Sequence, residues 1–393
     1  MRYLIVNQFA LPPYQPGGTR HYLIAKRLTE LGHQVHIVAS NLHYSSRELF
    51  ETTGKSEVID GITFHWLKTI PYKNGITRLI NHFQFLILIL FCFRRTAVKY
   101  EPDIIIGSSP QPFAVFGAWI LSKLTGAHFW YEVRDLWPES LVHLNVISKK
   151  NPLYYCFAFI ERFASNKAEK IFCLMPGGLD YFIDRGLQAN KLLWAPNGLD
   201  FNIQTNFLKC KKSDDNFLEI AYFGSHGPSD GLDFVIDVAE KLKKSNIRFR
   251  LVGNGPVKNH LKARTKSNNI DNVIFDEPVP KSEIYKVMAT ADVCLALALP
   301  SPLYKWGISF NKIFDYFYMK KPIIFIGDVA FNPIADADAG IVIKNFDVSE
   351  AASMILKMAI LSNDELTRLG TNGFSYGKRH HSIDEIVKKF EPF

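Results

Sequence analysis

Short, unbroken apolar runs recur along this chain, separated by stretches of helical spacing. Residues 3–9, 34–39, 103–106, 128–133, 170–174 and 192–195 read as strands, and 62–67 follows an Asp60-Gly61 turn. Residues 20–31, with Thr19 as a candidate cap, and 113–124 have apolar positions at helical spacing. Strands apolar at every position are buried on both faces, and strand–helix alternation predicts a parallel, doubly wound α/β sheet. The polar stretch 202–216 interrupts the pattern, which then restarts. Residues 218–223, 248–252, 273–275, 293–297, 322–326 and 340–343 read as strands and 232–242 as a helix. A chain of 393 residues is too long for one ordinary core. We therefore expect two Rossmann-like domains facing a cleft: residues 1–200, a linker at 201–216, and residues 217–378. Residues 379–393 are left as a C-terminal segment.

Charge is uneven. Residues 1–200 hold 21 Lys and Arg against 15 Asp and Glu, a net of +6 out of +8 for the whole chain. A basic first half suits an anionic partner such as phospholipid headgroups or a polyprenyl phosphate. No basic run resembles a nucleic-acid arm, so no nucleic-acid partner is expected. The five cysteines are scattered without a C-x-x-C pair and read as free thiols in a reducing cytoplasm. Met1 leads almost directly into the first strand, so no signal peptide is expected. Residues 85–93 are nine consecutive apolar residues followed by Arg94 and Arg95. That run is too short to span a bilayer. It reads first as a buried helix and, as the alternative, as a helix with one face in the membrane surface, a reading to which Arg78, Arg94, Arg95 and Lys99 lend more weight than such a run usually has.

Glycine-rich loops punctuate the strand ends. Gly17-Gly18-Thr19-Arg20 precedes the first helix, where a helix N-terminus can receive an anion. It is not the G-x-G-x-x-G dinucleotide fingerprint. Further along come the segment Glu132-Val133-Arg134-Asp135-Leu136-Trp137-Pro138-Glu139-Ser140, Pro196-Asn197-Gly198, Gly224, Gly253-Asn254-Gly255, and Asn311-Lys312-Ile313-Phe314-Asp315-Tyr316. In this order the motifs resemble those of retaining glycosyltransferases of family 4, over essentially the whole chain. The Arg-Asp-Leu-Trp-Pro-Glu version resembles the branch that builds bacterial O-antigen and capsule, including acetamidofucose transferases.

The resemblance implies a GT-B fold, whose C-terminal helix, here at 383–390, crosses back onto the first domain. It implies transfer of a sugar, an amino or deoxy sugar, from a UDP-linked donor to a lipid-linked saccharide, without metal or other cofactor. The setting would be the cytoplasm, on the inner membrane face. Gly17, Gly18, Arg20, His226, Gly253, Asn254, Pro278, Val279, Ser309, Asn311, Lys312 and Asp315 would bind the donor. Lys312 would neutralise the departing diphosphate, and Asp315 would accept the ribose hydroxyls. Asp135 would orient the acceptor or take its proton, with Glu132, Arg134 and Glu139 beside it. A capping role for Asp135 and an Arg134–Glu139 ion pair are the structural alternatives. The first Glu of the family's Glu-x7-Glu pattern falls on Gly307. A nucleotide-sugar epimerase of the same fold, or a non-catalytic partner subunit, are the rival functions.

Overall fold

The computed structural model describes residues 1–15, 17–44, 46–52, 54–202, 217–280 and 283–392. The chain forms two compact units, Met1–Asn197 with Ile383–Phe393, and Gly198–Ser382. Most of the expected linker, 203–216, lies outside the described residues.

The first unit runs β1 (Arg2–Val6), α1 (Arg20–Glu30), β2 (Gln34–Ala39), β3 (Ser56–Ile59) and β4 (Ile62–Trp66). It continues with α2 (Gly75–Leu88), a π-helical turn (Ile89–Phe93), α3 (Arg94–Tyr100), β5 (Ile104–Ser108), α4 (Pro112–Thr125) and β6 (His128–Val133). Then come α5 (Glu139–His143), α6 (Pro152–Lys167), β7 (Lys170–Cys173), α7 (Gly178–Ile183) and β8 (Leu192–Trp194). The sheet order is β3-β4-β2-β1-β5-β6-β7-β8. Every pairing is parallel except β3 with β4. The Asp60-Gly61 turn closes that hairpin, with φ of 49° and 79° at its two central residues, as the twist-compatible two-residue turn requires. β3 escapes a search for apolar runs because it is a half-exposed edge strand.

Thr19 occupies the cap position of α1 but its side chain makes no capping bond. The helix after β4 is longer than its apolar run. Asn74 and Thr77 form a reciprocal capping box, and helix continues from Gly75 to Tyr100, 26 residues. By length and composition it could cross a membrane, which corrects the reading from residues 85–93 alone. One face is nevertheless packed on protein: Phe85, Leu86, Ile89 and Phe93 are buried. At Gly117 of α4 an added Cβ would lie 3.1 Å from Leu86 and 3.2 Å from Ile89, so a glycine is what admits this helix to the surface of α4.

The second unit runs β9 (Leu218–Phe223), α8 (Leu232–Lys241), β10 (Ile247–Val252), α9 (Lys258–Ser267), β11 (Val273–Asp276), α10 (Ile284–Thr290) and β12 (Val293–Leu297). It ends with α11 (Asn311–Tyr318), β13 (Ile323–Ile326), α12 (Pro333–Asp336), β14 (Gly340–Ile343), α13 (Val348–Ala359) and α14 (Asn363–His380). All strands are parallel, in the order β11-β10-β9-β12-β13-β14. The pleat explains the apolar runs. Leu218, Ile220 and Tyr222 of β9 enter one core cluster, while Ala221 and Phe223 enter the cluster on the other face.

The end of the chain departs from the expected boundaries. α14 continues through Arg379 and His380, so the return to the first unit begins at Ile383. There α15 (Ile383–Val387) packs on α1. Ile383, Ile386, Val387 and Phe390 join that unit's core. The Phe390 ring stacks on Phe172, centroids 4.0 Å apart, and Tyr3 Oη donates to the Phe390 carbonyl at 2.8 Å.

Candidate active site

In the second unit the strand order reverses between β9 and β12, and open α/β sheets bind ligands at the carboxyl ends beside such a point. Three segments meet there. Gly224 follows β9, and a Cβ added there would lie 3.1 Å from Lys312 Nζ and 3.0 Å from Tyr222 Oη. Gly253 follows β10, and a Cβ added there would lie 1.8 Å from the Gly224 carbonyl oxygen. A Cβ at Gly255 would lie 2.4 Å from the His226 carbonyl oxygen, and His226 N–H donates to the Asn254 carbonyl at 2.9 Å. Only glycines allow the two strand-end loops to lie on each other in this way.

Lys312 extends from the first turn of α11. Its ammonium donates to Tyr222 Oη at 2.7 Å, sits 4.2 Å over the Tyr222 ring, and lies 3.7 Å from the Asp230 carboxylate. Asp230 is itself held by Tyr222 Oη, Ser225 Oγ and Gly227 N–H. Burial pushes the Lys312 ammonium down to about 8, with Asp230 opposing the shift. The side chain remains 22% exposed. The result is a poorly solvated cation with one counter-ion, able to meet a second anion.

Around it, Ser309 is half-buried and Asn311 exposed at the start of α11. Asp315 is partly buried, and one of its oxygens accepts from Tyr285 Oη at 2.8 Å. Pro278 is exposed, while Val279 packs against the core. Asn254 is exposed and accepts from Gly255 N–H. His226 is a correction. Its ring is wholly buried, with neither nitrogen hydrogen-bonded, and burial lowers its pKa. It is a neutral ring beneath the loop, not a cation offered to a phosphate.

In the first unit the order reverses between β1 and β5. Gly17 lies after β1 with φ of 138°, and a Cβ would meet Leu11 at 2.8 Å. Around Gly18 the space is open. Arg20 and Glu132 are a second correction. Arg20 is buried at the start of α1, its Nε donating to Glu132 at 2.9 Å and its other nitrogens to the Pro196 and Ala195 carbonyls. Glu132 also accepts from His21 Nε2 at 2.9 Å and Ser108 Oγ at 2.5 Å. Burial alone would raise the Glu132 carboxyl, but Arg20 and His21 hold it well below the usual range. All these groups are committed to one another, so they brace the loop instead of contacting substrate.

Asp135 is exposed just past β6. Arg134 is half-buried, with its N–H donating to Ser109 Oγ at 2.8 Å. The Arg134–Glu139 pair does not form. Glu139 instead accepts from Tyr154 Oη at 2.8 Å and lies 3.3 Å from Lys149 Nζ and 3.8 Å from Arg185.

Both units match families. Residues 17–198 match the glycosyl transferase 4-like domain, and residues 218–360 match the glycosyl transferases group 1 domain. The chain belongs to the family 4 glycosyltransferases. It is 22% identical over 266 residues to WcaI of Escherichia coli (strain K12), named for glycosyl transfer in colanic acid biosynthesis. That stretch covers 63% of this chain and 64% of WcaI. The fold is that of sucrose-phosphate synthase from Thermosynechococcus elongatus, with a TM-score of 0.76 at 14% identity over 99% of this chain and 97% of that one. It is also that of Anabaena HepE, solved with UDP and glucose, at 0.68, 16%, 99% and 98%. The lipopolysaccharide glycosyltransferase WaaG gives 0.69 at 15%, covering all of both chains. The architecture is GT-B.

For a family 4 glycosyltransferase, Gly307 is the departure from pattern. Its backbone lies at φ 91°, ψ −172°, closing the 3-10 turn Pro302–Trp306. That region is accessible essentially to glycine alone. Sequence reasoning missed Tyr222 and Asp230, which hold Lys312. It also missed Lys258, buried under the Gly253 loop and donating to the Gly253 and Asp276 carbonyls at 2.8 and 2.7 Å. No sequence signal marks Tyr222, which sits inside an apolar run.

Proposed function

We propose that this protein transfers a sugar, an amino or deoxy sugar, from a UDP-linked donor to a lipid-linked saccharide during surface-polysaccharide synthesis, with retention. The observation that carries the reading is the Lys312 ammonium, held over Gly224 at the switch point of the second sheet. The anomeric C–O bond to the diphosphate breaks, and the leaving group's new charge falls to Lys312 and the loop amides. The acceptor hydroxyl makes the new C–O bond on the same face of the sugar. Its proton passes to Asp135 or to the departing phosphate. Asp315, oriented by Tyr285, accepts the ribose hydroxyls. Ser309 and Asn311 donate to the diphosphate, while the backbone at Pro278 and Val279 reads the base. The UDP and glucose held by HepE and the colanic acid role in WcaI's name support donor and pathway class.

Calorimetric titration with UDP, GDP and ADP tests this. UDP binding is expected, weakened about a hundredfold in Lys312→Ala by loss of a charged hydrogen bond of about 3 kcal/mol. A folded protein that binds no nucleotide would overturn the reading.

The membrane contact is part of the same proposal. The helix from Gly75 to Tyr100 exposes Ile76, Ile80, Phe83, Ile87 and Phe91 along one side. Arg94, Arg95 and Lys99 follow. An apolar stripe ending in cations suits the interface of an anionic leaflet.

A further inference from the structure

The first unit holds a pocket that the donor chemistry does not use. Its volume is about 350 Å³, within the range of small-molecule sites. It lies between α6 and α7, and its wall begins at Pro138-Glu139, just past Asp135 in sequence. The side chains that give it character are Glu139, Tyr154, Glu161, Arg162, Tyr181 and Arg185. Glu161 is 7% exposed. Its Oε2 accepts from Tyr181 Oη at 3.0 Å, and its Oε1 is buried with no partner. A buried carboxyl oxygen left without a hydrogen bond costs stability. Burial also pushes the Glu161 carboxyl up to about 7.

The lining selects among ligand classes. Glu139, and Glu161 when ionised, disfavour a phosphate or other anion beside them. A cation finds Glu139 already paired with Lys149 and Arg185. Arg185 in turn lies 3.5 Å over the Tyr181 ring. A neutral polyol suits what remains: hydroxyl donors for carboxyl oxygens, acceptors for Arg162 and Arg185, and a C–H face for the half-buried Tyr154 ring beside Ala158 and Leu187.

We propose that this pocket is a glycan subsite, holding a neutral pyranose residue of the acceptor saccharide away from the bond being made. The inference rests on the transfer reading for the word acceptor, but saccharide binding is measurable without it. A subsite of this kind would let the enzyme read acceptor sugars beyond the reacting one, raising specificity through remote binding energy.

The test uses the whole chain. Methyl glycosides of glucose, galactose, fucose and N-acetylglucosamine are titrated by ligand-observed NMR, with UDP titrated by calorimetry on the same samples. At least one glycoside is expected to bind. Ala158→Phe, which fills the pocket from α6, is expected to weaken it about tenfold or more, and Glu161→Leu likewise, with UDP affinity unchanged. Arg185→Ala, on an exposed residue, gives a further readout should Glu161→Leu fail to fold. Binding of no glycoside, or binding indifferent to Ala158→Phe and Arg185→Ala, would overturn the subsite. UDP binding without glycoside binding sinks only the subsite, and glycoside binding without UDP binding sinks only the transfer reading.

Discussion

Lys312 shows how much of a single residue's chemistry is set by its neighbours. Its charge is partly desolvated, so it is lost as pH rises through about 8 in the free protein. Affinity for a nucleoside diphosphate is therefore expected to fall as pH rises past 8. In Lys312→Arg, whose guanidinium stays charged, the fall should disappear. A calorimetric pH series on both proteins checks this, and parallel profiles would discount Lys312 as the titrating group. Gly307 carries the opposite lesson. Restoring the family's carboxylate by Gly307→Glu places a Cβ residue in a glycine-only conformation, at an expected cost of about 1–3 kcal/mol. Thermal denaturation should show that loss, and transfer activity should fall rather than rise.

At the scale of elements, two features do different work. The Arg20–Glu132 pair joins the start of α1 to the end of β6 and to the Ala195 and Pro196 carbonyls. Glu132→Gln leaves a buried, uncompensated guanidinium and should cost about 3–5 kcal/mol in denaturant unfolding. A near-neutral result would mean the guanidinium is not buried as described. The Gly75–Tyr100 helix divides its apolar residues between two surroundings. Leu86 and Ile89 are core residues. Ile80, Phe83 and Phe91, half or more exposed, are available to lipid. The triple substitution Ile80→Ser, Phe83→Ser and Phe91→Ser should leave the melting temperature nearly unchanged yet abolish co-sedimentation with anionic vesicles. Undiminished vesicle binding would remove this helix from the membrane proposal.

At the scale of the molecule, the chain's last residues complete its first core. Phe390 is enclosed against Phe172 and Tyr3. Phe390→Ala should destabilise the first unit by about 3–5 kcal/mol and leave the second unit's own core intact. Calorimetry should then show one transition lowered and one unmoved. The tandem α/β arrangement was legible in the sequence because parallel strands buried on both faces must be apolar throughout, and the period restarts beyond residue 216. The glycine loops were legible because they follow strand ends, and Lys312 through the Asn311–Tyr316 motif of the family the chain resembles. The edge strand β3 was not, since an exposed strand needs no apolar run. The roles of Arg20, Glu132 and His226 were also hidden, because a motif residue looks the same whether it faces a ligand or a buried partner. Local chemistry along the chain thus determined which elements form and where each sheet ends. Tertiary packing alone decided which polar groups are spent on one another, because burial and distance set whether a charge is free to meet a substrate.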